Sequence, residues 1–316
     1  MSKKKANAAQ MRHQVKKQVT DAIIEALEKG DVPWVKPWEG GESYMPHSTQ
    51  GRPYRGINVL WLMLQPYAST QWGTFAAWRK EGAKRNKATG KEDYFGVKKG
   101  EKAVPVIYYK RLLVDDKNGE IDPETGKIKK QGIPLMKVFS VFNRDQTNLP
   151  PINVPKDERP IEEREEKVMS LIENNGIDYR EGGNRALFNH ALDYIQVPHR
   201  AHFKSIHGRM ATILHEATHW TGHAARLNRD LSGTMGTEEY AREELIAEIG
   251  AALLCATIGV ENTHLEENVD NHAAYIRHWL GALKGDGGSA LLFKAAAAAQ
   301  GAADLLLGYE YEEEKK

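Results

Sequence analysis

The sequence predicts an α+β protein in two domains, and three observations carry that expectation. Charge is divided along the chain. Residues 1–155 hold 27 Lys and Arg against 16 Asp and Glu, whereas residues 156–316 hold 17 against 27. Periodicity changes as well: the first half mixes helical and alternating apolar patterns, while the second reads as almost wholly helical. Between them lies LPPINVPKDERPIEEREEK, four prolines followed by a charge run, which marks a linker near residue 155. At 316 residues each half is long enough to bury its own core. The predicted division is therefore 1–155, mixed α/β, and 156–316, mostly helical.

In the first half, residues 8–29 repeat Met11, Val15, Val19, Ile23 and Leu27 at four-residue spacing, an amphipathic helix that Gly30 and Pro33 stop. TQGRPYRGINVLWLMLQP is a turn feeding a helical apolar run. WGTFAAWRKEGAKR is a short helix with Phe75 and Trp78 on one side. Trp61, Trp72, Phe75 and Trp78 occupy apolar positions and are expected in the core. KKGEKAVPVIYYKRLLVDD is a basic turn running into a strand, DKNGEIDPETGKIKKQG a polar hairpin-like insert, and MKVFSVFNRDQTN the returning strand.

In the second half, helices are expected at 161–175, 205–224, 237–258, 268–284 and 287–307, and the EYEEEKK tail is expected to fray. One strand-like piece, ALDYIQVP at 191–198, reads either as an edge on which an extended peptide could pair or as an ordinary structural strand. The single cysteine, Cys255, sits in the apolar run IGAALLCATIG and reads as core; it excludes an intramolecular disulfide and fits a reducing compartment. No apolar run approaches the ~20 residues of a membrane helix, and MSKKKANAAQ has no apolar stretch of the secretory kind. A cytoplasmic protein with no membrane partner is the expectation.

The chemistry concentrates in HEATHWTGHAARLNRD, residues 215–230. His215 and His219, at i and i+4, share a helix face and can reach one zinc ion, with Glu216 as general base toward water. A catalytic zinc needs three protein ligands and one open position. The extended zinc-protease signature wants a third histidine where this chain has Ala225. His223 follows on the same helix, and three histidines spread over ~12 Å of rise cannot converge on one tetrahedral ion. YAREELIAEIGAALLC supplies the alternative. Glu244 and Glu248 form an i, i+4 pair on a helix that is otherwise apolar, where a carboxylate is costly unless paired or metal-bound. Glu244 is expected as third ligand and Glu248 as hydrogen-bond partner of a ligand histidine. Glu243, about 100° around the helix, is expected in solvent. The competing reading puts all three glutamates on a solvated face.

These stretches carry a family resemblance. HEATHWTGHAARLNRD followed by EEYAREELIAEIGAALLC closely resembles the metallopeptidase domain of ArdC-type antirestriction proteins of conjugative plasmids and related mobile elements. PWVKPW, TQGRPYRGINVLWL, WGTFAAW, KKGEKAVPVIYYKR and VFNRDQTN resemble the same family's N-terminal single-stranded-DNA-binding domain, shared with TraC-type plasmid primases. The resemblance spans roughly residues 10–307; KATGKEDYF and DKNGEIDPETGKIKKQG look like insertions. It implies the ligand set His215, His219 and Glu244, catalytic Glu216, and protection of incoming plasmid or phage DNA from host restriction.

A single-strand binder needs cations along the backbone path and aromatic faces for bases. GRPYRGIN offers Arg52, Tyr54, Arg55 and Asn58, KKGEK offers Lys98, Lys99 and Lys102, and YYKR offers Tyr108, Tyr109, Lys110 and Arg111. A strand exposes alternate residues, so only one of Tyr108 and Tyr109 is expected to face DNA. His223, Tyr240 and His272 are candidates to steady an oxyanion or substrate. Three function classes stay open. One is a strand-coating protein; another is a peptidase that DNA binding brings to a protein of the restriction machinery. The third is a priming accessory with a structural zinc domain. Transfer to a recipient cell with the conjugating DNA is part of what the resemblance implies.

Overall fold

A computed structural model describes residues 3–34, 45–90, 95–115, 119, 121, 126, 128, 130–150, 159–234, 236–263 and 269–309. Residues 151–158 of the expected linker and the whole 310–316 tail lie outside them. The chain forms two compact units, Met1–Gln18 with Gln71–Leu149, and Val19–Thr70 with Pro150–Lys316. The sequence predicts one cut near 155; by compactness, residues 19–70 group with the C-terminal part. The grouping sharpens the charge division. The first unit carries 23 Lys and Arg against 10 Asp and Glu, a balance of +13, and the second carries −12.

Helix α1, Lys3–Glu28, contains the division between the units. Its four-residue repeat buries Val15, Val19, Ile23 and Leu27, whereas Met11 is exposed, contrary to the pattern. In the first unit, β2 (Gln71–Gly73), β4 (Lys130–Asn143) and β3 (Val104–Asp115) lie in that order, with α3 (Phe75–Thr89) following β2. β3 and β4 pair antiparallel over twelve positions, from Val104↔Val141 to Asp115↔Lys130. The expected hairpin insert contains the bridge Ile121↔Ile128. Trp72 and Trp78 fill the core, and the Trp78 indole N–H donates to the Phe142 carbonyl at 2.9 Å. Phe75 departs from the core expectation: it is 46% exposed, packing edge-on against Phe142.

The stretch VFNRDQTN ends β4 in a capping box over the single 3₁₀ turn Arg144–Gln146. The Gln146 amide also donates to the Lys102 carbonyl and to Glu101, and the Gln146 carbonyl accepts the Lys98 N–H. That one glutamine pins the basic KKGEK turn to the end of β4.

The second unit holds β1 (His47–Ser48), α2 (Ile57–Met63), α4 (Ile161–Asn174), α5 (Ile206–Trp220), α6 (Glu238–Ile258), α7 (Val269–Lys284) and α8 (Gly288–Leu306). It also holds a three-stranded sheet with order β5 (Asp178–Glu181), β7 (Tyr194–Val197), β6 (Leu187–Asn189). The helices match their sequence expectations except that α5 stops at Trp220, four residues early. The strand expected at 191–198 is β7, and it is central rather than an edge, flanked by β5 in parallel and β6 in antiparallel. Single-sequence alternation does not reveal short neighbours such as Leu187–Asn189, and of the two readings the ordinary structural strand is the one observed.

α5 begins under Ser205, whose hydroxyl accepts the Gly208 N–H at 2.8 Å. Its first turn is tied down by the buried Arg209, which pairs with Glu165 on α4 and with Glu181 on β5. α6 starts under Thr237 with Glu238 and Glu239 in the first turn, a favourable placement at the positive end of the helix dipole. The two helices approach closely at Gly250, where a Cβ would stand 2.4 Å from Thr218 Cγ2. α8 contributes Ala295, Ala296, Ala299, Ala302 and Ala303 to the buried core. Among the described residues no helix is long and apolar enough to cross a membrane.

Candidate metal centre

The close α5–α6 approach brings the histidine face of one helix against the carboxylate face of the other. His215 Nε2 and His219 Nε2 are 3.2 Å apart, and the two Glu244 oxygens stand 3.6 Å from one and the other. Ligand atoms about 2.0–2.1 Å from one tetrahedral zinc stand about 3.3 Å from each other. The donors therefore fit a single ion of that size. Among the described residues this is the one cluster of His, Cys, Asp and Glu with metal-site spacing.

Behind the donors, each histidine has its own carboxylate. Glu248 Oε1 lies 3.4 Å from His215 Nδ1, and Glu243 Oε1 lies 3.1 Å from His219 Nδ1. Such partners set the ring tautomer and orientation, leaving Nε2 for the ion. Glu243 is buried, which corrects the expectation that it is solvated. Its neighbour Arg229 explains the burial: the guanidinium donates to both Glu243 oxygens at 3.0 and 2.7 Å and also bonds Thr221 and the Thr218 carbonyl. The His219 ring is thus bracketed by two successive residues of α6. Gly222 leaves room for this clamp, since a Cβ there would stand 2.8 Å from Arg229 Nη2. Ala225, where the extended signature has its third histidine, lies exposed in the turn beyond.

The field at the site favours positive charge. Burial opposes a charged His215, yet Glu244, Glu248 and Glu216 outweigh it and raise its pKa to about 9. Burial alone would raise Glu244, but both histidines and the Tyr240 hydroxyl hold it at about 2, an ionised donor. Glu248 is pushed up to about 7 by burial. Glu216 is raised too, chiefly by burial, against the pull of both histidines; it accepts the Phe188 backbone N–H.

Glu216 and the three donors open on a cleft of about 680 Å³, lined also by Leu187 and Phe188 of edge strand β6 and by His190, His202 and Tyr240. Of the oxyanion candidates, Tyr240 is in the cleft. His223 is half-buried in the turn after α5, accepting the Ala225 N–H, and is not among the cleft-lining residues. His272 falls on α7, and its side chain lies outside the described ones.

The candidate DNA residues fall in two places. Arg52, Tyr54, Arg55 and Asn58 belong to the second unit. Arg52 is exposed, whereas Arg55 is committed to an ion pair with Asp304 of α8. Tyr54 is half-buried, and burial raises its phenol to about 12. Lys98, Lys99, Lys102, Tyr108 and Tyr109 belong to the first unit and are exposed. Lys110 and Arg111 continue β3, with side chains outside the described ones. Tyr108 and Tyr109 are 47% and 51% exposed, so both face solvent. The one-face rule fails because β3 and β4 form a two-stranded ribbon there, with solvent on both sides.

Glu243, Arg229 and Phe188 were missed in the sequence. Arg229 lies inside the quoted motif, but nothing local says that it folds back onto α6.

Comparison with known proteins bears on the two domains as wholes. A family model described as zincin-like metallopeptidase matches residues 166–298, and one described as the N-terminal domain of anti-restriction factor ArdC matches residues 13–142. The crystal structure of antirestriction ArdC protein from the R388 plasmid, in its Mn(II)-bound form, superposes with TM-score 0.68 at 36% identity, covering 93% of this chain and 97% of that one. The uncharacterized protein y4eC of Sinorhizobium fredii is 33% identical over 301 residues, 90% of this chain and 89% of that protein. DNA primase TraC of Escherichia coli is 34% identical over 319 residues, 96% of this chain but 28% of the primase. The chain thus spans little more than a quarter of that primase.

Proposed function

Since the chain belongs to the ArdC antirestriction family, we propose that it protects the incoming DNA of a plasmid or phage from host restriction. It would do so by binding single strands through its basic part and carrying a zinc peptidase centre in its acidic part. The functional division we propose is 1–155 for DNA and 156–316 for the metal domain, in a cytoplasmic protein that can travel with conjugating DNA. The observation that carries the reading is the convergence of His215, His219 and Glu244 beside Glu216 at an open cleft.

A divalent ion held by those donors supplies Lewis acidity, polarising a carbonyl oxygen and acidifying water. The chain's own residues do the rest. Edge strand β6 borders the cleft, where an extended peptide would lie alongside it. Glu216, raised by burial, takes a proton from the attacking water and returns it to the leaving amine. Glu243 and Glu248 hold the histidine rings, and Tyr240 orients Glu244. The peptide would belong to the host restriction machinery.

A second reading, a regulatory metallopeptidase localised by DNA, rests on the same intact Glu216 and open cleft. The likeness to TraC supports only a shared segment, and a role as priming accessory follows from it less directly. A conjugation assay under restriction challenge separates these readings. A Glu216→Ala chain that still protects supports strand coating; one that binds DNA normally yet fails to protect moves the weight to proteolysis. A variant with Lys98, Lys99 and Lys102 neutralised should fail to protect under the coating reading.

A further inference from the structure

Bases need a flat apolar face held open beside a cation, and one face of the β3–β4 ribbon has that composition. In the antiparallel register Tyr108 stands opposite Lys137 and Val106 opposite Phe139, so all four side chains share a face. Val106 is buried and closes the inner end of that face. Further out, Phe139 is 44% exposed and its ring centroid lies 6.2 Å from that of Tyr108 at 74°, an edge-on pair. Lys137 is exposed beside them with no ion-pair partner among the described residues. On the opposite face Tyr109 has the half-buried Met136 and Val138 as neighbours and no aromatic partner among the described residues, and Arg12 already donates to the Met136 carbonyl at 3.4 Å.

Resting on the single-strand reading above, we infer that Tyr108 and Phe139 form a base-stacking platform with Lys137 on the phosphates, and that Tyr109 takes no part. An exposed aromatic pair could equally seat a protein, but charge favours a polyanion. The pair lies in the unit with a balance of +13, and the exposed Lys98, Lys99 and Lys102 form the turn that leads into β3. Two exposed rings beside an exposed lysine serve sequence-tolerant stacking, because every base has a π-face.

The test measures affinity of the full chain by fluorescence anisotropy for an oligothymidine and for an abasic oligomer of equal length. Tyr108→Ala and Phe139→Ala should each weaken oligothymidine binding about tenfold and leave the abasic oligomer unaffected. Tyr108→Phe should restore affinity, and Tyr109→Ala should leave both oligomers unchanged. Lys137→Gln should weaken both and reduce the slope of log affinity against log salt by about 0.7. Binding in which Tyr108→Ala and Phe139→Ala behave as wild type overturns the platform while leaving the single-strand reading intact. So does equal loss on the abasic oligomer, or loss at Tyr109 instead. A wild-type chain that binds neither oligomer overturns both.

Discussion

The basic unit keeps aromatic rings outside, and the acidic unit keeps charges inside. Phe75, Tyr108, Tyr109 and Phe139 are all 44% exposed or more, on a hairpin and helix whose core is small. His215, Glu216, Glu243, Glu244 and Glu248 are instead buried between two helices. Each arrangement is unfavourable by ordinary burial rules, and the two departures differ in kind. Exposed rings forgo hydrophobic stabilisation but need no partner in the fold. Buried charges are tolerated only with partners placed to within tenths of an ångström. The open face suits a ligand that slides and varies, and the closed cluster suits one ion in one place.

The largest effect that would sharpen this contrast is Glu216→Gln. It should lower peptide hydrolysis by about 10²–10⁴ while metal stoichiometry and DNA affinity stay at wild-type values. A parallel fall in DNA affinity would break the separation of the two regions. Next come the metal partners. Glu244→Ala should lose stoichiometric metal binding in a calorimetric titration, and Glu243→Ala or Glu248→Ala should weaken it by about 10–100-fold. If Glu243→Ala binds as tightly as wild type, the Arg229 clamp has no bearing on the centre.

Gly250→Ala tests the helix approach itself. A methyl against Thr218 should cost about 1–3 kcal/mol in urea unfolding and weaken metal binding with it. The smallest effects separate the two groups of cations. Arg55→Ala should lower stability by about 1 kcal/mol, because it leaves Asp304 with only the Gln300 amide and no charged partner, with little change in the salt slope of DNA binding. Lys99→Ala and Lys102→Ala should each flatten that slope by about 0.7 with no change in unfolding. The reverse pattern would move the DNA path to the acidic unit.

Much of the architecture was legible in the residues. The α+β class, the five C-terminal helices and the hairpin of the first unit follow from local periodicity. The His215–His219 pair follows from helical geometry alone, since i and i+4 share a face wherever the helix packs. The charge division was also legible, although a single cut at 155 understates it, because compactness takes residues 19–70 into the acidic unit.

Tertiary structure decided the rest. Glu243 reads as solvated until Arg229 returns from the turn beyond Gly222 to neutralise it, a contact across fourteen residues. β7 reads as an edge or an ordinary strand until β5 and β6 cover both its sides. Tyr108 and Tyr109 read as one-in, one-out until the ribbon leaves both faces to solvent. Local pattern records what a side chain prefers, through its own helix or strand. What stands opposite it depends on contacts distant in sequence, and those set which charges are paired and which surfaces stay open.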